Sequence, residues 1–222
     1  MHTGFAVELA GVLLLAIPLA AQPGPMRFLA LGDSYTIGEK VDSLERWPVQ
    51  LARLLRAQGV SVAEPEVIAR TGWTTDELAA GIAVAAPADT YGLVTLLIGV
   101  NNQYRGRDPE RYRAEFRSLL AQSVEFAGGN AARVVAVSIP DWGVTPFAAG
   151  RDRAKIAAEI DHFNAISREE AAKAGARYVD VAPVSREPHD GWTTADGLHP
   201  SGRQYQRWAE LVNAELARPG KP

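Results

Sequence analysis

The sequence predicts an α/β fold: a parallel sheet with helices on both faces. Two observations carry this. Short runs that are apolar throughout, rather than alternating, recur along the chain, as in strands buried on both faces. Between them lie longer segments with apolar residues at helical spacing. Strands alternating with helices form a layered α/β domain. Right-handed crossovers then bring the carboxyl ends of all its strands to one edge.

The first strand is expected over Met26 to Leu31. Trp47-Pro48 opens a helix, since proline in the first turn loses no needed hydrogen bond; Trp47, Leu51, Leu54 and Leu55 share a face, and Gly59 stops it. Glu66 to Ala69 reads as the second strand, with a weak helix over Thr75 to Ile82. The run LVTLLI, Leu93 to Ile98, is the clearest buried strand. Asp108-Pro109 supplies an N-cap and first-turn proline for a helix whose inner stripe is Tyr112, Phe116, Leu119 and Leu120. Ala132 to Ile139 is the fourth strand, followed by the loop PDWGVTPFAAG and a long helix from Arg151 to Ala174, with Ile156, Ile160 and Phe163 on one side. Arg177 to Val181 is the fifth strand. Pro183 to Pro200 lacks periodicity and reads as a loop. Ser201 caps the last helix, with Gln204 as its capping-box partner and Trp208, Leu211, Val212 and Leu216 along its inner side.

The 222 residues suit one domain, expected over 26–222, large enough to bury a core without disulfides or metals. Charge is balanced, 23 basic against 26 acidic residues, with no basic stripe of the kind that binds nucleic acid. The absence of cysteine excludes thiolate catalysis, Cys-based zinc sites and a lipoprotein anchor. Residues 5 to 21 read FAVELAGVLLLAIPLAA, short for a membrane span and similar to the apolar region of a secretory signal. Residues 1–25 are therefore expected to be a leader and the protein secreted or periplasmic. If translation starts at Met26, it is cytoplasmic.

The chemistry-bearing residues fall at the expected strand ends, the crevice where open α/β sheets bind ligands. Ser34 follows the first strand in Gly32-Asp33-Ser34-Tyr35; Gly72 follows the second; Asn101 follows the third in Gly99-Val100-Asn101-Asn102. Asp196-Gly197-Leu198-His199 lies in the loop after the fifth. A serine hydroxyl needs a base to take its proton, and an imidazole base works better with a carboxylate fixing its tautomer. Ser34, Asp196 and His199 supply all three.

These four blocks resemble, in order, those of the SGNH (GDSL-like) hydrolases, and the resemblance covers nearly the whole chain after residue 25. It implies a three-layer α/β/α flavodoxin-like fold with a five-stranded parallel sheet, and ester hydrolysis without a cofactor or metal. By this resemblance Ser34 is the nucleophile, His199 the base and Asp196 the acid. The oxyanion hole comprises the Ser34 N–H, the Gly72 N–H and the Asn101 side chain. The third block usually ends in Asp, and Asn102 stands there instead, so altered hydrogen bonding behind the site is expected.

Each residue has a plainer reading: a turn cap for Ser34, a turn glycine for Gly72, an Asx turn for Asn101 and an exposed turn histidine for His199. Their convergence favours catalysis, with Gly99 expected to clear space beside Asn101. Asp33 is expected to stiffen the nucleophile turn. Asp141, Trp142 and Trp192 either border the pocket or are half-buried packing residues, the commoner role for such aromatics. His2 falls in the leader, His162 inside a helix, and His189-Asp190 is a distant second candidate for the base. The sequence lacks the clustered His and Asp ligands of a metallophosphoesterase, a nucleotide-binding G-x-x-x-x-G-K-[ST] and the G-x-S-x-G elbow of an α/β-hydrolase. The expected partner is a small-molecule ester, such as an acetylated sugar, a lysophospholipid or a small acyl ester or thioester, with no stable membrane span. An acyltransferase using the same serine and a non-catalytic binding module are the alternatives.

Overall fold

A computed structural model describes residues 24–87, 90–188 and 190–218. Strands β1 (Phe28–Gly32), β2 (Glu66–Ala69), β3 (Leu93–Leu97), β4 (Val134–Val137) and β5 (Arg177–Val179) form one parallel sheet in the order β2-β1-β3-β4-β5. Every residue of β1, β3 and β4 is buried, which is why these runs show no alternation. The register sets Gly32 level with Ala69 and Leu97, so three of the four sequence blocks leave the sheet at one height.

The helices in chain order are α1 (Ser34–Ile37), α2 (Trp47–Ala57), α3 (Thr75–Ala85) and α4 (Val100–Tyr104). They continue with α5 (Pro109–Phe126), α6 (Arg153–Ala174), α7 (Ala182–Arg186) and α8 (Gly202–Leu216). Helix α2 packs against α8, while α5 packs against α3 and α6. With right-handed crossovers these two groups cover opposite faces of the sheet, giving three layers. The expected stripes are buried: Trp47, Leu51 and Leu55 on α2, Tyr112, Phe116, Leu119 and Leu120 on α5, Trp208 and Val212 on α8. Among the described residues no helix is long and apolar enough to cross a membrane. The expected leader lies outside the described residues apart from Gly24 and Pro25, as does His189.

Several boundaries differ from expectation for local reasons. The long helix starts at Arg153, because the Asp152 carboxylate caps it by accepting from the Lys155 N–H at 2.9 Å. The stretch expected as a loop from Pro183 contains most of α7, whose first turn carries Pro183 and whose entry is held by the Ser138 hydroxyl, accepting from the Val181 N–H at 2.8 Å. At α8 the Ser201 hydroxyl accepts from the Gln204 N–H as expected, at 3.4 Å. The box is not closed, however, because the Ser201 N–H already donates to the Trp192 carbonyl at 2.8 Å.

Candidate active site

The nucleophile block is shaped by packing at the end of β1. A Cβ on Gly32 would overlap the Thr36 hydroxyl and stand 2.5 Å from the Leu97 carbonyl oxygen, so only glycine lets α1 fold back onto the strand end. Asp33 caps α1 by accepting from the Tyr35 N–H at 3.0 Å. It is fully buried, and desolvation raises its pKa to about 7 against the opposing pull of the Tyr35 N–H. The expectation that Asp33 stiffens the turn agrees with this contact. Ser34, next in line, is 6% exposed.

The Gly72 turn is gripped by the segment after β3. The Asn101 Nδ2 donates to the Trp73 carbonyl at 2.9 Å, and the Arg105 guanidinium donates to the Gly72 carbonyl at 2.6 Å. Asn102 accepts from the Thr75 N–H at 3.1 Å through Oδ1 and donates to the Thr75 hydroxyl at 2.7 Å through Nδ2. Gly72 itself has φ +86, a left-handed conformation that favours glycine. The asparagine at 102 now has a physical reason. The Thr75 hydroxyl donates to the Glu115 carboxylate while accepting from Asn102. A carboxylate at 102 would leave one hydroxyl proton between two acceptors.

Gly99 does not mainly clear space for Asn101. A Cβ there would lie 2.7 Å from the Tyr112 phenol oxygen, which is tied to the Ile98 carbonyl at 3.1 Å and the Ser167 hydroxyl at 2.7 Å. Its φ of +130 adds a backbone reason for glycine.

The loop after β5 folds on itself around Asp196. Its Oδ1 accepts from the Leu198 N–H at 2.9 Å, the His199 N–H at 3.0 Å and the Thr194 hydroxyl at 2.9 Å. Its Oδ2 meets the His199 Nδ1 at 2.6 Å. Desolvation works to raise the Asp196 pKa, but the His199 bond and the two N–H donors outweigh it and hold the carboxyl well below the usual carboxylate range. An ionised carboxylate only accepts, so Nδ1 is the donor and Nε2 is left free to accept a proton. The imidazole packs edge-on against Tyr35, centroids 6.0 Å apart, and Tyr35 in turn against Trp208 of α8.

Ser34, Gly72, Asn101 and His199 line one cleft of about 200 Å³, with Asp196 bonded to His199. No hydrogen bond joins the Ser34 hydroxyl to the His199 ring in this conformation. Among the described residues, neither the Ser34 N–H nor the Gly72 N–H has an acceptor within the protein. Ser34 is buried, and buried N–H donors are seldom left so, whereas Gly72 is half-buried. Asn101 Nδ2 has one good acceptor, Trp73, and one long contact of 3.5 Å to Asp33. His162 is exposed on α6 and takes no part in lining the cleft.

Sequence reasoning left most of the cleft's other wall unassigned. Trp142, which the sequence places either at the pocket's border or in its packing, lines the cleft with Tyr104, Phe147, Val100 and Leu198. Trp142 is also buried and donates from Nε1 to Gln103 at 2.8 Å, so both descriptions hold. The loop carrying Phe147 is tied to the histidine loop, with the Phe147 N–H donating to the Gly197 carbonyl at 2.9 Å. A neighbouring cavity of about 300 Å³ takes in Asp141 and Trp192; it shares Tyr35, Trp142 and Leu198 but includes neither Ser34 nor His199.

Layered α/β architecture with such a cleft at the strand ends defines an ester hydrolase of the SGNH type, a class borne out by comparison with known proteins. Residues 30–207 match the model of the GDSL-like Lipase/Acylhydrolase family, and the chain belongs to that family. Among solved structures the fold is similar to that of TesA, at 21% identity and TM-score 0.67, covering 86% of this chain and 98% of the other. It is also similar to a variant of Axe2, an acetyl xylan esterase from Geobacillus stearothermophilus, at 18% identity and TM-score 0.65, covering 87% and 96%. A lipolytic G-D-S-L protein from Veillonella parvula aligns at 18% identity and TM-score 0.64, covering 87% and 100%. At such identities these likenesses concern the fold. No curated protein sequence matches the chain.

Proposed function

We propose that the protein hydrolyses carboxylic esters through an acyl-enzyme, with Ser34, His199 and Asp196 as triad. The oxyanion hole would comprise the Ser34 N–H, the Gly72 N–H and the Asn101 amide. The observation that carries this reading is the meeting of a serine, an Asp-bound imidazole and two N–H groups without acceptors in one small cleft.

In this mechanism the Ser34 Oγ attacks the carbonyl carbon while His199 Nε2 takes its proton. Such a bond commonly tightens only once substrate is bound. The carbonyl oxygen becomes an oxyanion held by the three donors, each contributing about 3–4 kcal/mol to the transition state. Collapse of the tetrahedral adduct breaks the bond to the alcohol oxygen, which receives the proton from Nε2. Water then attacks the acyl-serine, giving its proton to Nε2. The acid departs as the Ser34 oxygen regains a proton. Asp196 holds the ring tautomer and offsets the imidazolium charge throughout.

The cleft is small and mostly apolar inside, which favours short acyl groups over long chains. A series of p-nitrophenyl esters of rising acyl length tests this, with turnover expected to be highest at the short end. An initial burst without steady turnover would instead show an acyl-enzyme that water does not hydrolyse, in line with the acyltransferase alternative. Export is proposed on residues 5 to 21 alone; sequencing the mature N-terminus tests it, and a protein beginning at Met1 or Met26 would contradict it.

A further inference from the structure

The cleft's other wall ends in a positive charge. Tyr104, Trp142 and Phe147 stand within 5.4 to 6.4 Å of one another, and the Arg151 guanidinium carbon lies over all three, at 5.5, 5.4 and 5.1 Å from their centroids. Tyr104 and Phe147 are 48% and 38% exposed, so this stack sits at the mouth. The chain turns back at Gly150, φ +76, and the Arg151 N–H donates to the Ala148 carbonyl at 3.1 Å. This turn brings the Arg151 side chain over the rings.

Among the described residues no carboxylate lies within 4 Å of this guanidinium, whose one polar side-chain contact is the Tyr104 hydroxyl at 3.4 Å. The adjacent acid, Asp152, is occupied in capping α6. Glu39, bonded to the cleft-lining Thr71, accepts from its hydroxyl at 2.5 Å and pairs with Lys40 at 3.4 Å, so its charge is answered. A guanidinium stacked on aromatic faces keeps its N–H edge available, and that edge matches carboxylate and phosphate oxygens.

We propose that Arg151 selects esters bearing an anionic group, carboxylate or phosphate, placed so that it emerges at the mouth while the scissile carbonyl reaches Ser34. This deepens the hydrolase reading and rests on it. Arg151 is a specificity residue here: it binds the distal anion and takes no part in proton transfer.

The test compares matched pairs that differ in one charge. 4-Acetoxybenzoate against 4-acetoxybenzamide puts the anion on the alcohol side. p-Nitrophenyl monosuccinate against p-nitrophenyl succinamate puts it on the acyl side. The wild type is expected to prefer the anionic member of one pair by about tenfold in kcat/KM, equivalent to about 1.4 kcal/mol. Arg151→Gln should abolish that ratio, Arg151→Lys should keep part of it, and high salt should shrink it. An equal ratio in wild type and Arg151→Gln, or no anionic preference in either pair, overturns the proposal. A second measurement separates this from the hydrolase reading. Binding of 4-hydroxybenzoate and 4-hydroxybenzamide to Ser34→Ala, followed by tryptophan fluorescence, needs no turnover. Tighter binding of the anion, in this pair or in succinate against succinamate, that disappears in Ser34→Ala/Arg151→Gln supports the anion site even if no ester is cleaved, whereas equal affinities in both pairs reject it even if esters are cleaved.

Discussion

His199 Nδ1 lies 2.6 Å from Asp196 Oδ2, while the other Asp196 oxygen is held by the backbone N–H groups of Leu198 and His199 itself. One carboxylate therefore builds the loop and sets the imidazole tautomer at once. Asp196→Asn keeps an oxygen for the loop but offers an N–H to Nδ1, so the ring is expected to carry its proton on Nε2. Ester turnover should fall about 10⁴-fold with the thermal midpoint little changed. Steady-state kinetics beside a melting curve checks both halves, and near-normal kcat would contradict the assignment.

Asn101 occupies the Trp73 carbonyl with one amide proton and has only a long contact for the other. Asn101→Ala should lower kcat by about 10² to 10³ with little change in KM, as expected for a donor that acts on developing charge. A rise in KM at constant kcat would show ground-state binding instead.

Asn102 and Glu115 share the Thr75 hydroxyl, which has one proton to give. Asn102→Asp should destabilise the fold by about 1–3 kcal/mol, because a buried acceptor loses its partner. At this chain length that lowers the midpoint by about 2–4 °C per kcal/mol. Asn102→Asp/Glu115→Gln should recover most of the loss, and an equal midpoint in all three proteins would refute the shared-proton explanation.

Asp33 titrates near neutrality in the fold, because burial raises its pKa to about 7. A raised folded pKa means the native state holds a proton that the unfolded chain releases near its ordinary value of about 4. Stability from this group is present below pH 4 and lost as pH rises to 7, on the order of 4 kcal/mol at most. Asp33→Asn keeps the acceptor for the Tyr35 N–H without the charge. The variant should match wild type near pH 4 and exceed it at pH 8 in denaturant unfolding. A constant difference across that range would contradict the buried-carboxyl account.

The parts legible in the sequence are those set by local pattern. The aliphatic runs of β1, β3 and β4 and the stripes of α2 and α5 are buried as their periodicity implies. Ser34, Gly72, Asn101 and His199 could be placed on one rim because strand ends dictate where loops emerge. What local pattern does not contain is long-range partnership. Trp142, Tyr104 and Phe147 form one wall through partners distant in sequence, with Trp142 bonded to Gln103 beside Tyr104 and Phe147 pinned to Gly197, half a hundred residues later. Likewise nothing around Asn102 announces Glu115, which reaches it through Thr75 from another helix. Arg151 looks like any surface arginine until three rings are found beneath it.

The central claim is that the Ser34 oxygen is the nucleophile, and covalent labelling tests it most directly. Wild type treated with a fluorophosphonate should gain one adduct by intact mass, located by peptide mapping at Ser34, and should lose esterase activity in step. Ser34→Ala should take up none. Labelling of the alanine variant, or an adduct on any other residue, would contradict the mechanism.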